Sequence, residues 1–180
     1  MAITLDATPG GPAANTYVLV PQVDAFAESV FDVDAAAWAA IQDDERKFAL
    51  LVRAARLLDT RVTWIGERST TTQAMAWPRL FVRRPGGGAY EGNTYSSVEI
   101  PRAVQEAQMV LATWLSGRSA SGEDPFGLSG TSNLQALSVG PISLTFRNAS
   151  SVDGANFFDE AIVPILEAGG CIRPNSRLTR

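Results

Sequence analysis

The side chains that most often carry chemistry are scarce in this chain of 180 residues. It has no histidine, so the commonest general base and the commonest imidazole metal ligand are both missing. The single cysteine, Cys171, excludes an internal disulfide, and the single lysine, Lys47, leaves little amine chemistry. We therefore predict a protein that is not an enzyme and that uses no metal and no cofactor.

The most distinctive polar spacing lies in the segment TTTQAMAWPR. Thr70 and Gln73 have the spacing of a capping box, which predicts a helix that begins at Thr70. Pro78 should end this helix within about two turns, because it lacks an N–H and disfavours the α conformation of the preceding Trp77. We expect the segment to fix the shape of the fold and to direct Trp77 and Arg79.

Charge is segregated along the chain, although the net charge is only −4. Residues 1–45 contain eight acids and no base, whereas residues 46–84 contain nine bases and two acids. Such blocks either neutralise each other within the fold, meet across a subunit boundary or form ordinary solvated faces, and the sequence leaves the three open. The arginines of the basic block alternate with apolar residues and form no continuous basic run.

Helical periodicity covers most of the chain. The predicted helices span residues 21–30, 34–41 with Asp34 as the cap, 43–60, 101–117 and 154–170. The third carries an apolar stripe formed by Phe48, Leu51, Val52, Ala55 and Leu58. Pro101 and Gly117 suit the first turn and the C′ position of the fourth helix. Two long amphipathic helices should therefore pack on each other.

The clearest β pattern is LQALSVGPISLTFRN, where apolar and polar residues alternate around Gly140 and Pro141. It predicts a hairpin near residues 134–147, and a shorter strand is expected at residues 17–20. The fold class is thus mainly α: a small helical bundle with one hairpin and an extended C-terminal tail. We expect a single domain over residues 1–170 and a tail over residues 171–180.

No apolar run approaches the roughly 18 residues of a membrane span, and the first residues lack the pattern of a signal peptide. We expect no membrane contact. Trp64, Trp77 and Trp114 are assigned to the junction of the two long helices, where large rings bury much area. Arg79 is expected to leave this junction toward an acidic partner.

Four segments carry a resemblance to known proteins: NTYVLVPQVDAF, AARLLDTRVTWIGERSTTTQAMAWPR, PRAVQEAQMVLA and SVGPISLTF. In that order they resemble a family of tailed-bacteriophage proteins described as DnaT-like single-stranded DNA-binding proteins. The chain is also similar to the wider group of phage head-tail connector, or adaptor, proteins. The most specific part of the resemblance runs from Gln73 to Arg79.

The connector resemblance implies a structural subunit that forms a ring, usually of twelve copies, between the portal and a stopper or tail-terminator protein. It implies a place in the neck of the virion after assembly in the host cytoplasm, with passive contact to double-stranded DNA. Trp64, Gln73, Trp77, Pro78, Arg79 and Trp114 would then set the fold or the subunit interface. The portal-docking residues would be Ile172, Arg173, Pro174, Arg177, Leu178 and Arg180.

The DnaT-like resemblance implies the alternative, a single-stranded DNA-binding accessory of replication. Such binding needs a basic groove with aromatic platforms for base stacking. Most aromatic residues of the chain fall in apolar stripes or at turns, and the net charge is acidic. An acidic subunit suits a conduit through which DNA slides, so we predict the connector first and single-strand binding second.

Overall fold

The computed structural model describes residues 4–30, 32–86, 93–121, 136–139, 142–145 and 156–174. The fold is mainly helical with a two-stranded antiparallel hairpin, as predicted. The helices are α1 (Val20–Ser29), α2 (Val33–Ala39), α3 (Asp44–Arg61), α4 (Arg102–Ser121) and α5 (Val163–Ala168), the last preceded by a π-helical turn (Phe158–Ile162). The strands are β1 (Glu67–Arg68), β2 (Arg79–Leu80), β3 (Ala136–Val139) and β4 (Ile142–Thr145).

Helix α3 forms where the apolar periodicity is strongest. The Asp43 carboxylate accepts a hydrogen bond from the Glu45 N–H at 3.0 Å, and acids in the first turn with Arg61 in the last suit the helix dipole. The buried face is formed by Leu50, Leu51, Ala54, Ala55, Leu57 and Leu58. It is shifted from the predicted stripe, because Phe48 and Val52 are only half-buried.

Helix α4 packs against both α2 and α3 and forms the centre of the core. It continues through Gly117 to Ser121, so the prediction that Gly117 ends the helix is wrong. A Cβ atom at Gly117 would lie 2.2 Å from the Asp34 carboxylate. Gly117 therefore serves close packing of α2 on α4 instead of a helix end.

The segment before α1 is held by a buried side chain and not by a neighbouring strand. The Tyr17 N–H donates to Gln108 Oε1 at 2.8 Å, and Gln108 Nε2 donates to the Leu51 carbonyl at 2.9 Å. The predicted strand at residues 17–20 is therefore absent, since Gln108 satisfies the backbone that a sheet partner would have paired. Helix α2 is capped by Asp32, which accepts from the Ala35 N–H at 2.6 Å, and not by Asp34.

The C-terminal helix α5 begins at Val163, directly after the π-helical turn, and the chain turns away after it where Gly170 adopts a φ of 66°. This left-handed turn brings the chain back to the core, where the Ile65 N–H donates to the Cys171 carbonyl at 3.1 Å. Cys171 and Ile172 are consequently buried with the helices. The expectation that a separate tail begins at residue 171 thus fails for these two residues, and residues 175–180 lie outside the described part.

The predicted hairpin is confirmed, with Ala136 opposite Thr145 and Val139 opposite Ile142. A second, shorter pairing joins β1 to β2, with Glu67 opposite Leu80 and Arg68 opposite Arg79. Within the described ranges, no helix combines the length and the apolar character needed to cross a bilayer.

Candidate functional site

The segment that begins at Thr70 makes the hydrogen bonds of a capping box without forming a helix. The Thr70 N–H donates to Gln73 Oε1 at 3.0 Å, and the Gln73 N–H donates to Thr70 Oγ1 at 3.2 Å. The buried Gln73 amide also donates to the carbonyls of Met75 and Pro78, at 2.8 and 3.1 Å. These bonds hold an irregular turn, in which the Trp77–Pro78 peptide is cis. Residues 70–78 contain no helix, so the predicted helix is wrong.

The buried ring of Trp77 is the centre of a row of three aromatic rings. Its ring meets Trp64 at 6.0 Å and Tyr95 at 5.9 Å between centroids, both edge to face. Such pairs add about 0.5–1.5 kcal/mol beyond the area that they bury. Trp114 does not join this row: it stacks on Phe157 at 4.3 Å. The structure thus brings together only two of the three tryptophans that were assigned to one junction.

A buried pair that the sequence analysis missed ties this turn to α3. The Tyr17 hydroxyl donates to Asp59, and the other oxygen of Asp59 accepts from the Ala76 N–H at 2.9 Å. The Trp77 N–H donates to the Tyr17 hydroxyl at 3.3 Å. Burial raises the pKa of Asp59, and burial beside this carboxyl raises the pKa of Tyr17, so the phenol stays protonated.

Arg79 turns inward instead of reaching a partner. Its Nε donates to the Ile65 carbonyl at 2.7 Å, and its terminal nitrogens donate to the carbonyls of Ala76, at 3.2 Å, and Gly66. Burial lowers the pKa of this guanidinium. Arg79 therefore fastens the segment before β1 to the turn before β2, which corrects the expected outward direction of its side chain.

Phe81, directly after β2, has the opposite environment. Its side chain is 73% exposed, and its backbone φ of 63° lies in the left-handed region that bulky residues rarely adopt. Gly66 helps to fix this conformation, because a Cβ atom there would lie 2.1 Å from the Leu80 carbonyl oxygen and 2.7 Å from Val82. The close approach of Gly66 to the Leu80 carbonyl and to Val82 holds the residues on both sides of Phe81.

A second platform is formed by Tyr95 and by Arg84, which follows Phe81 in the chain by three residues. The Arg84 guanidinium lies 4.9 Å from the centroid of the Tyr95 ring and is paired with Glu99. The Tyr95 N–H donates to the Val82 carbonyl at 2.9 Å, and the Tyr95 hydroxyl donates to the Gly169 carbonyl at 2.9 Å. Backbone and side-chain contacts therefore fix the ring on which the guanidinium rests.

A groove of about 620 Å³ opens next to this platform, between the start of α4 and α5. Arg84 and Arg102 lie on its rim with Glu99 and Glu106, while Pro85 and Ile165 are among its apolar walls. Arg83, and Arg68 in β1, are also exposed. We use the name Phe81 surface for a set of six residues: Arg68, Phe81, Arg83, Arg84, Tyr95 and Arg102.

The chemistry of the Phe81 surface is that of recognition. Exposed guanidinium groups bind phosphate, and an exposed ring, or the outer face of a guanidinium that rests on a ring, accepts a stacked base. Among the described residues, no group of three or more histidine, cysteine, aspartate or glutamate side chains could hold a metal ion.

The residues of the chain match one family model over almost their full length. The model described as "Putative DnaT-like ssDNA binding protein" matches residues 1–175. The chain belongs to this family. No curated protein and no solved structure matches the chain.

Membership in the DnaT-like family corrects the first prediction. The match gives no support to a phage head-tail connector, to a ring at the neck of a virion, or to portal, stopper or tail-terminator partners. It favours the alternative, single-strand binding, over passive contact with double-stranded DNA. The prediction went wrong because it weighed the acidic net charge of the whole chain above the local distribution of charge.

The residues that were predicted for docking and for interfaces lie in different surroundings. Trp64, Gln73, Trp77, Pro78 and Arg79 come together in one corner of the fold, and Trp114 lies apart from them. Ile172 is buried in the chain's own core, whereas Arg173 and Pro174 are exposed. Arg177, Leu178 and Arg180 lie outside the described residues. Phe81 was not among the predicted residues, and its neighbours in the sequence carry no signal that its ring is exposed.

Proposed function

We propose that this member of the DnaT-like family is a single-stranded DNA-binding protein without enzymatic activity, and that DNA contacts the Phe81 surface. The observation that carries the proposal is the exposed ring of Phe81, held in a left-handed backbone conformation between arginines. An apolar ring that faces water at a sparsely populated φ is costly for stability alone. Its position is understandable if a ligand stacks on it.

The charge distribution supports the same surface. Seven of the eight acids of the first quarter of the chain lie on or directly before α1, α2 and α3, Asp6 lies before α1, and none of the eight lines the groove beside Arg84. Four arginines, Arg68, Arg83, Arg84 and Arg102, face three acids of the same region, Glu67, Glu99 and Glu106, and Glu99 pairs with Arg84, so the local balance is positive by one charge. Neutralising phosphates there would release counterions, which supplies most of the affinity of a single-strand binder. The net charge of −4 therefore does not oppose local binding.

Single strands fit this surface better than duplexes, because stacking on a protein ring needs an unpaired base. The rings of Phe81 and Tyr95 present two places where successive bases could stack, the second through the Arg84 guanidinium. In a duplex, the bases are already stacked on each other.

The test compares Phe81→Ala with the wild type in fluorescence anisotropy, using labelled oligothymidylate and a duplex of equal length. Loss of one stacked base is worth about 1–3 kcal/mol, so the variant should bind single strands about 5- to 150-fold more weakly. Val33→Ala is the matched control, because Val33 is an equally exposed apolar residue on α2, at 83% exposure. Its affinity should equal that of the wild type.

A salt series separates stacking from charge. Each phosphate contact on a single strand contributes about −0.7 to the slope of log K against log salt concentration. Phe81→Ala should leave this slope unchanged, whereas Arg83→Ala should make it shallower by about 0.7. The proposal is overturned if the wild type does not bind single strands, or if Phe81→Ala binds them as tightly as Val33→Ala does.

A further inference from the structure

A second groove lies between α1 and α2, and its lining carries more acidic than basic side chains. Its volume is about 420 Å³, within the range of roughly 300–1,000 Å³ typical of ligand pockets. The exposed alanines Ala36 and Ala39 form its accessible apolar wall, and the buried Ala35 and Trp38 lie behind this wall. The groove is thus apolar inside and open to solvent.

The charges at this groove are strongly unbalanced. Asp24, Glu28 and Asp32 line it, and Lys47 is the one basic residue among the described residues that do so. Glu28 is exposed and makes no ion pair with any described residue. Asp32 is also exposed, although one of its oxygens caps α2. Two carboxylates therefore remain in excess beside an apolar interior.

Lys47 shows which chemistry the groove accommodates. Its ammonium lies 2.8 Å from Asp24 Oδ1 and 5.3 Å from the centroid of the Trp38 ring. The same Asp24 oxygen accepts from Trp38 Nε1 at 2.8 Å. A cation between a carboxylate and an indole face is a favourable arrangement. The chain's own lysine thus pairs with one of the three carboxylates that line the groove, and Glu28 and Asp32 are left for a second cation.

We propose that the groove between α1 and α2 binds a basic segment of a partner protein, with an arginine or lysine between Glu28 and Asp32 and an apolar neighbour against the alanine walls. Charge complementarity selects this occupant, since the excess carboxylates attract a cation and repel nucleic acid. The alanines and Trp38 favour a chain that carries apolar side chains as well. This inference does not depend on single-strand binding at the Phe81 surface.

The experiment measures binding of a fluorescein-labelled hexapeptide of alternating leucine and arginine to the full chain by anisotropy. Glu28→Lys should weaken binding at least tenfold, because it replaces attraction by repulsion at the groove. Glu45→Lys is the matched control: it changes the net charge equally but lies at the start of α3, outside the groove. It should weaken binding less than twofold.

Ala36→Leu tests the apolar part of the groove without changing charge. Ala36 is exposed and lines the groove, so leucine should fill it with little disturbance of the core and weaken peptide binding several-fold. A peptide with glutamine in place of arginine should not bind. Equal binding by Glu28→Lys and Glu45→Lys would overturn the proposal, and so would displacement of the peptide by equimolar spermidine, which would identify a small polycation as the occupant.

Discussion

Trp77 and Phe81 are four residues apart in one irregular segment, and their environments are opposite. Trp77 is 1% exposed and contacts two other aromatic rings, whereas Phe81 is 73% exposed. The backbone of Trp77 is fixed by the hydroxyl of Tyr17, and that of Phe81 is left-handed. The first residue holds the corner of the fold together, and the second presents a ring to solvent.

The difference shows how one short segment can supply both a fold anchor and a binding platform. Arg79 lies between the two residues, and its bonds to the carbonyls of Ile65, Gly66 and Ala76 keep β2 close to β1. These bonds to β2 do not involve the Phe81 ring, which is 73% exposed. Stability and proposed DNA binding should therefore be separable by mutation.

The largest effect is expected for Trp77→Ala. Removing a fully buried indole costs about 3–5 kcal/mol through lost burial and the cavity left behind. Urea unfolding followed by circular dichroism should show this decrease in the free energy of unfolding. Phe81→Ala should change the same quantity by less than about 0.5 kcal/mol, as exposed substitutions usually do. Equal destabilisation by the two variants would contradict the division of roles between these residues.

Gly66→Ala should have the second-largest effect, because it attacks the support of Phe81 and not its ring. Gly66 has a φ of 74° and its Cβ position is occupied by the Leu80 carbonyl, so alanine should cost about 1–3 kcal/mol. Gly86→Ala is the control, since Gly86 has a φ of 76° and open space around its Cβ position. If the two variants lose equal stability in thermal unfolding, backbone conformation alone explains the cost and the close approach contributes nothing.

The periodic elements of the fold could be predicted from the sequence, because each is encoded by residues that are close together. Helices α3 and α4 and the β3–β4 hairpin have local apolar patterns, and their positions were predicted to within a few residues. The exact ends were less predictable. Gly117 lies inside α4 and not at its end, and its lack of a side chain makes room for Asp34 of α2, which is far from it in the sequence.

The candidate site could not be predicted in the same way, since its geometry depends on long-range contacts. The spacing of Thr70 and Gln73 is that of a helix start, but the residues that follow are held from distant parts of the chain: the Ala76 N–H donates to Asp59, and the Trp77 N–H donates to the Tyr17 hydroxyl. The sequence likewise does not show that Phe81 is exposed, because the alternation around it is compatible with a buried strand. The segregation of charge was visible, but its interpretation was left open.

Arg84→Lys should weaken the binding of single-stranded DNA, with a smaller effect than that of Phe81→Ala. Lysine keeps the charge but loses the planar group that rests on Tyr95 at 4.9 Å, so one stacking platform is lost. Affinity for oligothymidylate should fall several-fold, while the slope of log K against log salt concentration stays the same. Arg83→Lys is the control and should change neither quantity. Equal affinity of Arg84→Lys and the wild type would mean that Arg84 acts only through its charge, on a phosphate, and not as a plane on which a base stacks.

The smallest expected effect concerns the pH dependence of the Trp77 corner. Burial raises the pKa of Asp59, although hydrogen bonds from Tyr17 and Ala76 oppose this shift. Between the usual pKa of an aspartate and the raised value, the folded state keeps a proton that the unfolded state has lost. The contribution of Asp59 to stability is therefore greatest in acid and decreases as the pH rises through the raised pKa.

This sign can be measured by comparing the wild type with Asp59→Asn in thermal unfolding between about pH 4 and pH 7. The stability of the wild type relative to the variant should fall as the pH rises, with a slope below the single-group limit of about 1.4 kcal/mol per pH unit. A relative stability that rises with pH would show that the hydrogen bonds to the carboxylate outweigh its burial. The same pH change should leave the stability difference between Phe81→Ala and the wild type constant, because no ionisable group of this pair touches the exposed ring.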